Sequence, residues 1–264
     1  MIKKIKIYAN ENPACQKIKD RLLTKLTKAN FIIDEKKPDL VIAVGGDGAF
    51  LRMVKAEKYN TDVYYVGING GTLGFLQKIN KNEINEFIKL LKDGHYDIEE
   101  ISIQETKVKT KKKSETFFAI NEIALREREL NVFRTAVYID DVFLEDYVGD
   151  GLLISTSTGS TAYNLSFGGA IVYNTFHTTQ LTPIAPLNSG AYRNILNSII
   201  IPEAMPIKIM PKSKNNEIIL TVDGINIFTQ DVKEIKISCL GKKLKCLKLN
   251  ESHFIKTIND KFLK

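Results

Sequence analysis

With 264 residues, 44% of them hydrophobic, the chain can bury one large core or two modest ones, which excludes a disordered protein. Lysine and arginine number 38 against 31 acidic residues, a formal net charge of +7. That surplus suits a phosphorylated ligand, but the lysines are scattered rather than gathered on one basic helix, so solubility is its larger role and nucleic acid is not the expected partner. Cys15, Cys239 and Cys246 are odd in number and lack paired spacing, which suggests neither a disulfide framework nor a zinc ribbon and fits a reduced cytoplasm. The start of the chain carries no signal-peptide core and no apolar stretch is long enough to span a bilayer, so a soluble, cytoplasmic protein without a membrane partner is expected.

In chain order, lysine alternates with isoleucine from Ile2 to Tyr8 as in a half-exposed strand, and Ile18, Leu22 and Leu26 recur at helical spacing. Leu40 to Val44 is an apolar run rich in β-branched residues, the pattern of a buried strand, and it ends in Gly45-Gly46-Asp47-Gly48. Glycines let a backbone turn tightly and approach a ligand, so Asp47 stands where α/β folds bind substrates, at the carboxyl end of a strand; a plain helix cap is the alternative. Phe50, Leu51 and Val54 are expected on the inner face of the helix that follows. Val63 to Ile68 reads as a third strand and runs into a second glycine cluster, Gly67-Ile68-Asn69-Gly70-Gly71-Thr72-Leu73-Gly74-Phe75. Asn80 with Glu83 resembles an N-terminal capping pair for a helix striped by Ile84, Phe87, Ile88 and Leu91, and Gly94 is placed to end it.

An α/β domain therefore closes near residue 97, and the period then changes. Ser102 to Lys109, Thr116 to Leu125, Asn131 to Asp140 and Val142 to Val148 read as strands, with lysines 111 to 113 and Asp140-Asp141 as turns. The stretch from Gly149 to Ser166 starts as a strand and becomes a hydroxyl-rich turn, Ser155-Thr156-Ser157-Thr158-Gly159-Ser160-Thr161-Ala162-Tyr163-Asn164. Exposed backbone N–H groups, hydroxyls and the Tyr163 ring suit a sugar, a base and phosphate oxygens. Thr182-Pro183-Ile184-Ala185-Pro186 is predicted to be extended and rigid. Strands continue over Ile199 to Ile201, Met205 to Met210, Glu217 to Val222 and Val232 to Ser238, with Asp223 read as a turn residue before Gly224.

Taken in order, Gly45-Gly46-Asp47-Gly48, Gly67 to Phe75, Asn121-Glu122, Gly149-Asp150-Gly151-Leu152 and Ser155 to Asn164 resemble the NAD kinases through most of the chain. The resemblance implies an N-terminal Rossmann-like α/β domain (1–97), a C-terminal β-sandwich domain (98–243) and a tail (244–264) that packs back on the first domain, with the active site between the domains. It implies phosphoryl transfer from ATP, or from inorganic polyphosphate, to the 2′-hydroxyl of the adenosine ribose of NAD, giving NADP. Asp47 is then the general base, Gly45, Gly46 and Gly48 bind phosphate, and Mg²⁺ is held mainly by nucleotide phosphates and water. Asp47, Gly48 and Phe75 join Asn121, Glu122, Asp150, Thr161, Ala162, Tyr163, Asn164 and Ser166 as the NAD-binding set. Ala185 matches a position that contacts NAD in a neighbouring subunit, which implies a homo-oligomer, often a tetramer.

Three positions depart from the family pattern: Ala49 stands where a threonine is usual, Val148 where a basic residue often precedes Gly149, and Ser157 where proline is common. None of them removes the base. A lipid kinase with the same glycine-aspartate turn should lack Asn121-Glu122 and Thr161-Ala162-Tyr163-Asn164, which are both present; a non-catalytic NAD(P)-binding sensor would keep the fold without turnover.

Overall fold

Two compact units make up the chain, one of Met1–Ile101 with Lys243–Lys264 and the other of Ser102–Lys242. The structure is a computed structural model and describes residues 2–71, 74–129, 131–213, 216–249 and 253–264. Thr72 and Leu73 of the second glycine cluster, and residues 250–252 of the tail, lie outside the described residues.

In the first unit the chain runs through β1 (Lys4–Ala9), α1 (Pro13–Lys28), β2 (Ile32–Ile33), β3 (Leu40–Gly45), α2 (Asp47–Ala56), β4 (Tyr64–Asn69), α3 (Ile84–Asp93) and into β5 (Asp97–Thr110). The first four strands pair in parallel in the order β2, β1, β3, β4. Every residue of β3 is buried, because an inner parallel strand is covered on both faces and therefore reads as a continuous apolar run. On β1 only Ile5 and Ile7 are buried, and the alternating Lys4 and Lys6 reach Asp34 at 3.0 Å and Glu57 at 2.7 Å. Asn12 caps α1 by accepting from the Cys15 N–H at 2.8 Å, and Pro13 opens the helix where its missing N–H has no partner to lose.

On α2 the buried residues are Ala49, Phe50, Met53 and Val54, whereas Leu51 is only half-buried. The 3.6-residue period puts Met53, three residues after Phe50, on the inner face and turns Leu51 aside. Glu83 does not cap α3 from a capping box. Its carboxylate accepts from the Asn80 backbone N–H at 2.7 Å and closes the turn that precedes the helix, and α3 then ends at Gly94 in the left-handed conformation.

The second unit contains β6 (Ser114–Ala119), β7 (Glu122–Glu127), β8 (Phe133–Ile139), β9 (Val142–Gly149), β10 (Gly151–Thr156), a 3₁₀ turn (Thr158–Thr161) and α4 (Tyr163–Ser166). It continues through β11 (Thr178–Ile184), β12 (Ile199–Pro202), β13 (Ile207–Pro211), β14 (Ile218–Val222), β15 (Ile225–Thr229) and most of β16 (Val232–Lys248). One antiparallel sheet has the order β12-β11-β10-β7-β14-β15; opposite it β9, β8, β13 and β16 pair in that order, with β5 and β6 as a hairpin. Side chains from both layers, among them Phe133, Val137, Tyr147, Ile207 and Ile235 on one side and Ile123, Leu125, Leu152, Ile154 and Leu220 on the other, form one core, so the unit is a β-sandwich.

Two strand expectations change. Thr116 to Leu125 is two strands, β6 and β7, broken at Ile120 and Asn121 because Asp223 captures the N–H groups there. Ala185 is exposed with φ at +44°, left-handed rather than extended, although it precedes a proline.

The tail rejoins the first unit. Lys245 and Cys246 of β16 pair in parallel with Tyr64 and Tyr65 of β4, Leu247 enters the α/β core, and α5 (His253–Phe262) follows.

Candidate active site

The first unit presents the glycine-aspartate turn. Gly45 ends β3, Gly46 precedes α2, and Asp47 and Gly48 are the first residues of that helix. The Asp47 carboxylate is held by the second glycine cluster: Oδ1 accepts from the Leu76 N–H at 2.9 Å and Oδ2 from the Phe75 N–H at 3.2 Å. Gly74 makes this possible, since a Cβ there would overlap Asp47 Oδ1 and sit 2.7 Å from its Cγ. Ala49, in place of a threonine, lies with its Cβ 2.7 Å from where a Gly45 Cβ would be, so the turn is closed over a small residue. Phe75 is buried between Phe254 and Phe262 of α5, with ring centroids 5.7 and 5.9 Å away, and Lys261 Nζ lies 5.0 Å from its ring and 3.8 Å from Asp47 Oδ2. Such a half-exposed ion pair adds little stability, so a ligand can displace it.

The second unit presents the other predicted residues. Asp223 lies in the β14–β15 turn, and its carboxylate accepts from the N–H groups of Ile120 at 2.8 Å, Asn121 at 2.8 Å and Glu122 at 3.2 Å. Thr156 ties the same break to β10, donating from Oγ1 to the Ile120 carbonyl at 2.6 Å and from its N–H to the Asn121 carbonyl at 2.9 Å. Gly159 then packs so closely on Asn121 that a Cβ would overlap the Asn121 carbonyl. The Asn121-Glu122 pair and the hydroxyl-rich turn are thereby one structure. Glu122 is buried, and desolvation first, then the neighbouring Asp223 carboxylate, push its carboxyl up to about 8. At neutral pH it is a carboxylic acid with an O–H to donate.

Thr161 is buried, Ala162 half-buried, and Tyr163 and Ser166 are exposed. Tyr163 meets the Phe167 ring at 4.8 Å and accepts from Arg126 Nη2 at 3.0 Å, with the guanidinium also 5.5 Å from the Phe167 ring. Asn164 is different: its amide is fully buried, donating to Gln180 Oε1 at 2.9 Å and accepting from Thr182 Oγ1 at 2.6 Å, so the side chain is occupied inside the fold. Asp150 is exposed at the start of β10, where its N–H donates to the Ile184 carbonyl at 3.0 Å next to Ala185. Asn121 and Glu122 lie at the far end of β10, opposite Ser155, so the fold separates the two groups by a strand's length.

Sequence reasoning missed Arg126, Lys261 and the carboxylate role of Asp223. Asp223-Gly224 carried a turn signal only, and nothing in a linear reading relates it to residues a hundred positions earlier.

The chain thus joins an α/β unit with a carboxylate on a glycine turn to a β-sandwich that carries an Asn-Glu pair beside a hydroxyl-rich turn. Comparison with known proteins is more specific. The ATP-NAD kinase N-terminal domain profile matches residues 3–96 and the ATP-NAD kinase C-terminal domain profile residues 120–247. The chain is 36% identical to an NAD kinase of Finegoldia magna over 98% of its own length and 97% of the relative's. It is 34% identical to an NAD kinase of Streptococcus gordonii, covering 92% and 88% of the two chains. The fold matches the crystal structure of yeast NADH kinase complexed with NADH at a TM-score of 0.86, with 24% identity over 99% of this chain and 87% of that one. It also matches an Archaeoglobus fulgidus NAD kinase in complex with ATP at 0.72, with 21% identity over 96% of each. The chain belongs to the NAD kinase family.

Proposed function

We propose that Asp47 is the general base with which this chain moves the terminal phosphoryl group of ATP to the 2′-hydroxyl of the adenosine ribose of NAD. The observation that carries the assignment is the carboxylate itself, at the first turn of α2 just after β3 and fixed by the backbone N–H groups of Phe75 and Leu76. A ribose hydroxyl is a weak nucleophile at neutral pH. A carboxylate within about 2.6–3.2 Å orients it and takes its proton as the oxygen attacks phosphorus and ADP departs. The transferred group passes through a loose transition state, so the other contributions are position and charge. The backbone of Gly45, Gly46 and Gly48 at the start of α2 suits phosphate oxygens.

Among the described residues no three His, Cys, Asp or Glu side chains gather into a cage, and Asp47 is already engaged by N–H groups. We take magnesium to be held mainly by nucleotide phosphates and water, and such an ion would neutralise phosphate charge. Glu122, as a neutral acid, can donate to a ribose hydroxyl while Asn121 lies beside it; Thr161, Ala162, Ser166 and the Tyr163 ring suit the adenosine. Asp150 suits the nicotinamide end. The exposed, left-handed Ala185 beside it supports a contact with dinucleotide held by another copy, hence a homo-oligomer, which we take to be a tetramer. Three free thiols fit a cytoplasmic setting, and among the described residues no helix is long and apolar enough to cross a membrane.

The test is NADP formation from NAD and Mg²⁺ with ATP or inorganic polyphosphate, by the parent and by Asp47→Asn. The substitution should lower kcat by about 10²- to 10⁴-fold and leave NAD affinity within about threefold. Parental turnover by Asp47→Asn rejects the assignment, and the donor that supports turnover is identified in the same assay.

A further inference from the structure

Gln77 has no part in the roles described so far. It is 2% exposed, it follows the two residues whose N–H groups hold Asp47, and both polar atoms of its side chain are buried with no hydrogen-bond partner among the described residues. A buried amide without partners destabilises a protein, and an apolar side chain of the same shape would not. Its placement gives the amide a use. Gln77 Oε1 and Asp47 Oδ1 both lie over the bare Cα of Gly74, in the space a Cβ there would fill, so the amide and the carboxylate are neighbours. Two acceptors so placed repel, whereas a half-turn of the amide about its last bond puts an N–H₂ group in the place of Oε1, aimed at the carboxylate.

We propose that Gln77 is a positioning residue for Asp47. Its rotated amide and the Leu76 N–H together occupy Oδ1. Oδ2 then remains to receive the hydroxyl proton, with a longer bond from Phe75 and with Lys261 at 3.8 Å. Among the described residues Lys261 of α5 is the charged group in contact with the carboxylate, and Arg52 of α2 has its Nη1 3.4 Å from where a Cβ on the next residue, Gly48, would be. The proposal rests on the general-base reading of Asp47, and its test separates the two.

The experiment compares the full-length parent, Gln77→Met and Asp47→Asn for NADP formation with NAD, ATP and Mg²⁺, alongside thermal unfolding. Gln77→Met keeps the shape and removes the donor. Its kcat should fall about tenfold, with KM for NAD and for ATP within about twofold and Tm equal to or above that of the parent. Parental kcat in Gln77→Met while Asp47→Asn is inactive overturns the proposal alone. Parental kcat in Asp47→Asn overturns the general base and this proposal with it. Should Gln77→Met lower Tm, Gln77→Leu, a second apolar side chain without a donor, decides, assayed well below both melting temperatures: a lowered kcat with unchanged KM in both variants supports the positioning role, and a parental kcat in either overturns it.

Discussion

Gly74 has no room for a side chain because the Asp47 carboxylate and the Gln77 amide meet over it. Gly74→Ala must push one of them away, and displacement in a packed site costs about 1–3 kcal/mol. Urea unfolding should show that loss, and NADP formation should fall more than NAD binding does. Glu122 gives a prediction with a definite sign. Its carboxyl titrates near 4.5 when the chain is unfolded and is raised to about 8 in the fold, mainly by desolvation and then by Asp223. Between those values the unfolded chain has lost a proton that the folded chain keeps, so the stability that Glu122 contributes is fully present below about 4.5 and is lost as pH rises through about 8. Glu122→Gln should flatten this slope and unfold at a higher temperature than the parent at pH 8. Melting curves at pH 5 and pH 8 measure both, and parallel slopes would contradict the buried neutral acid.

At the scale of elements, α5 and the second glycine cluster depend on each other. Phe75 is packed between Phe254 and Phe262, and its backbone N–H is one of the two that hold Asp47. Ending the chain at Leu249 removes both rings and exposes Phe75. Loss of buried aromatic packing of this kind costs about 3–5 kcal/mol. The shortened protein should melt several degrees lower and form NADP more slowly, because the segment carrying the Phe75 and Leu76 N–H groups is released; unchanged kcat would place α5 outside the catalytic arrangement. The break between β6 and β7 has a comparable origin. Ile120 carries a β-compatible side chain, and the strand is interrupted where the carboxylate of Asp223, brought there by the β14–β15 turn, takes the N–H groups of Ile120 and Asn121 while Thr156 takes their carbonyls.

Over the whole molecule the chain leaves the α/β unit within β5 and returns to it within β16, so the first unit is built from segments at both ends of the sequence. Its sheet is continued by residues 245 and 246 beside β4, with Leu244, Cys246 and Leu247 all buried. The alternation of Val232 to Ser238 marks a strand there, but no local signal says that the same strand runs on to Lys248 and joins a sheet begun more than two hundred residues earlier.

What the linear order determined by itself was whatever depends on neighbours in the chain. Periodicity placed β1, β3 and the stripe of α3; glycine marked the end of α3 at Gly94 and paired aspartates the turn at Asp140-Asp141; the five motifs in order pointed to the family. These patterns are local because side-chain direction repeats every two or 3.6 residues. Only the tertiary structure decided what contact between distant segments controls. It committed the Asn164 amide to Gln180 and Thr182, gave Asp223 three backbone N–H groups to hold, raised Glu122 into the neutral range, and set Gln77 against Asp47. Burial, partner geometry and desolvation are properties of the packed fold, and no window of sequence contains them.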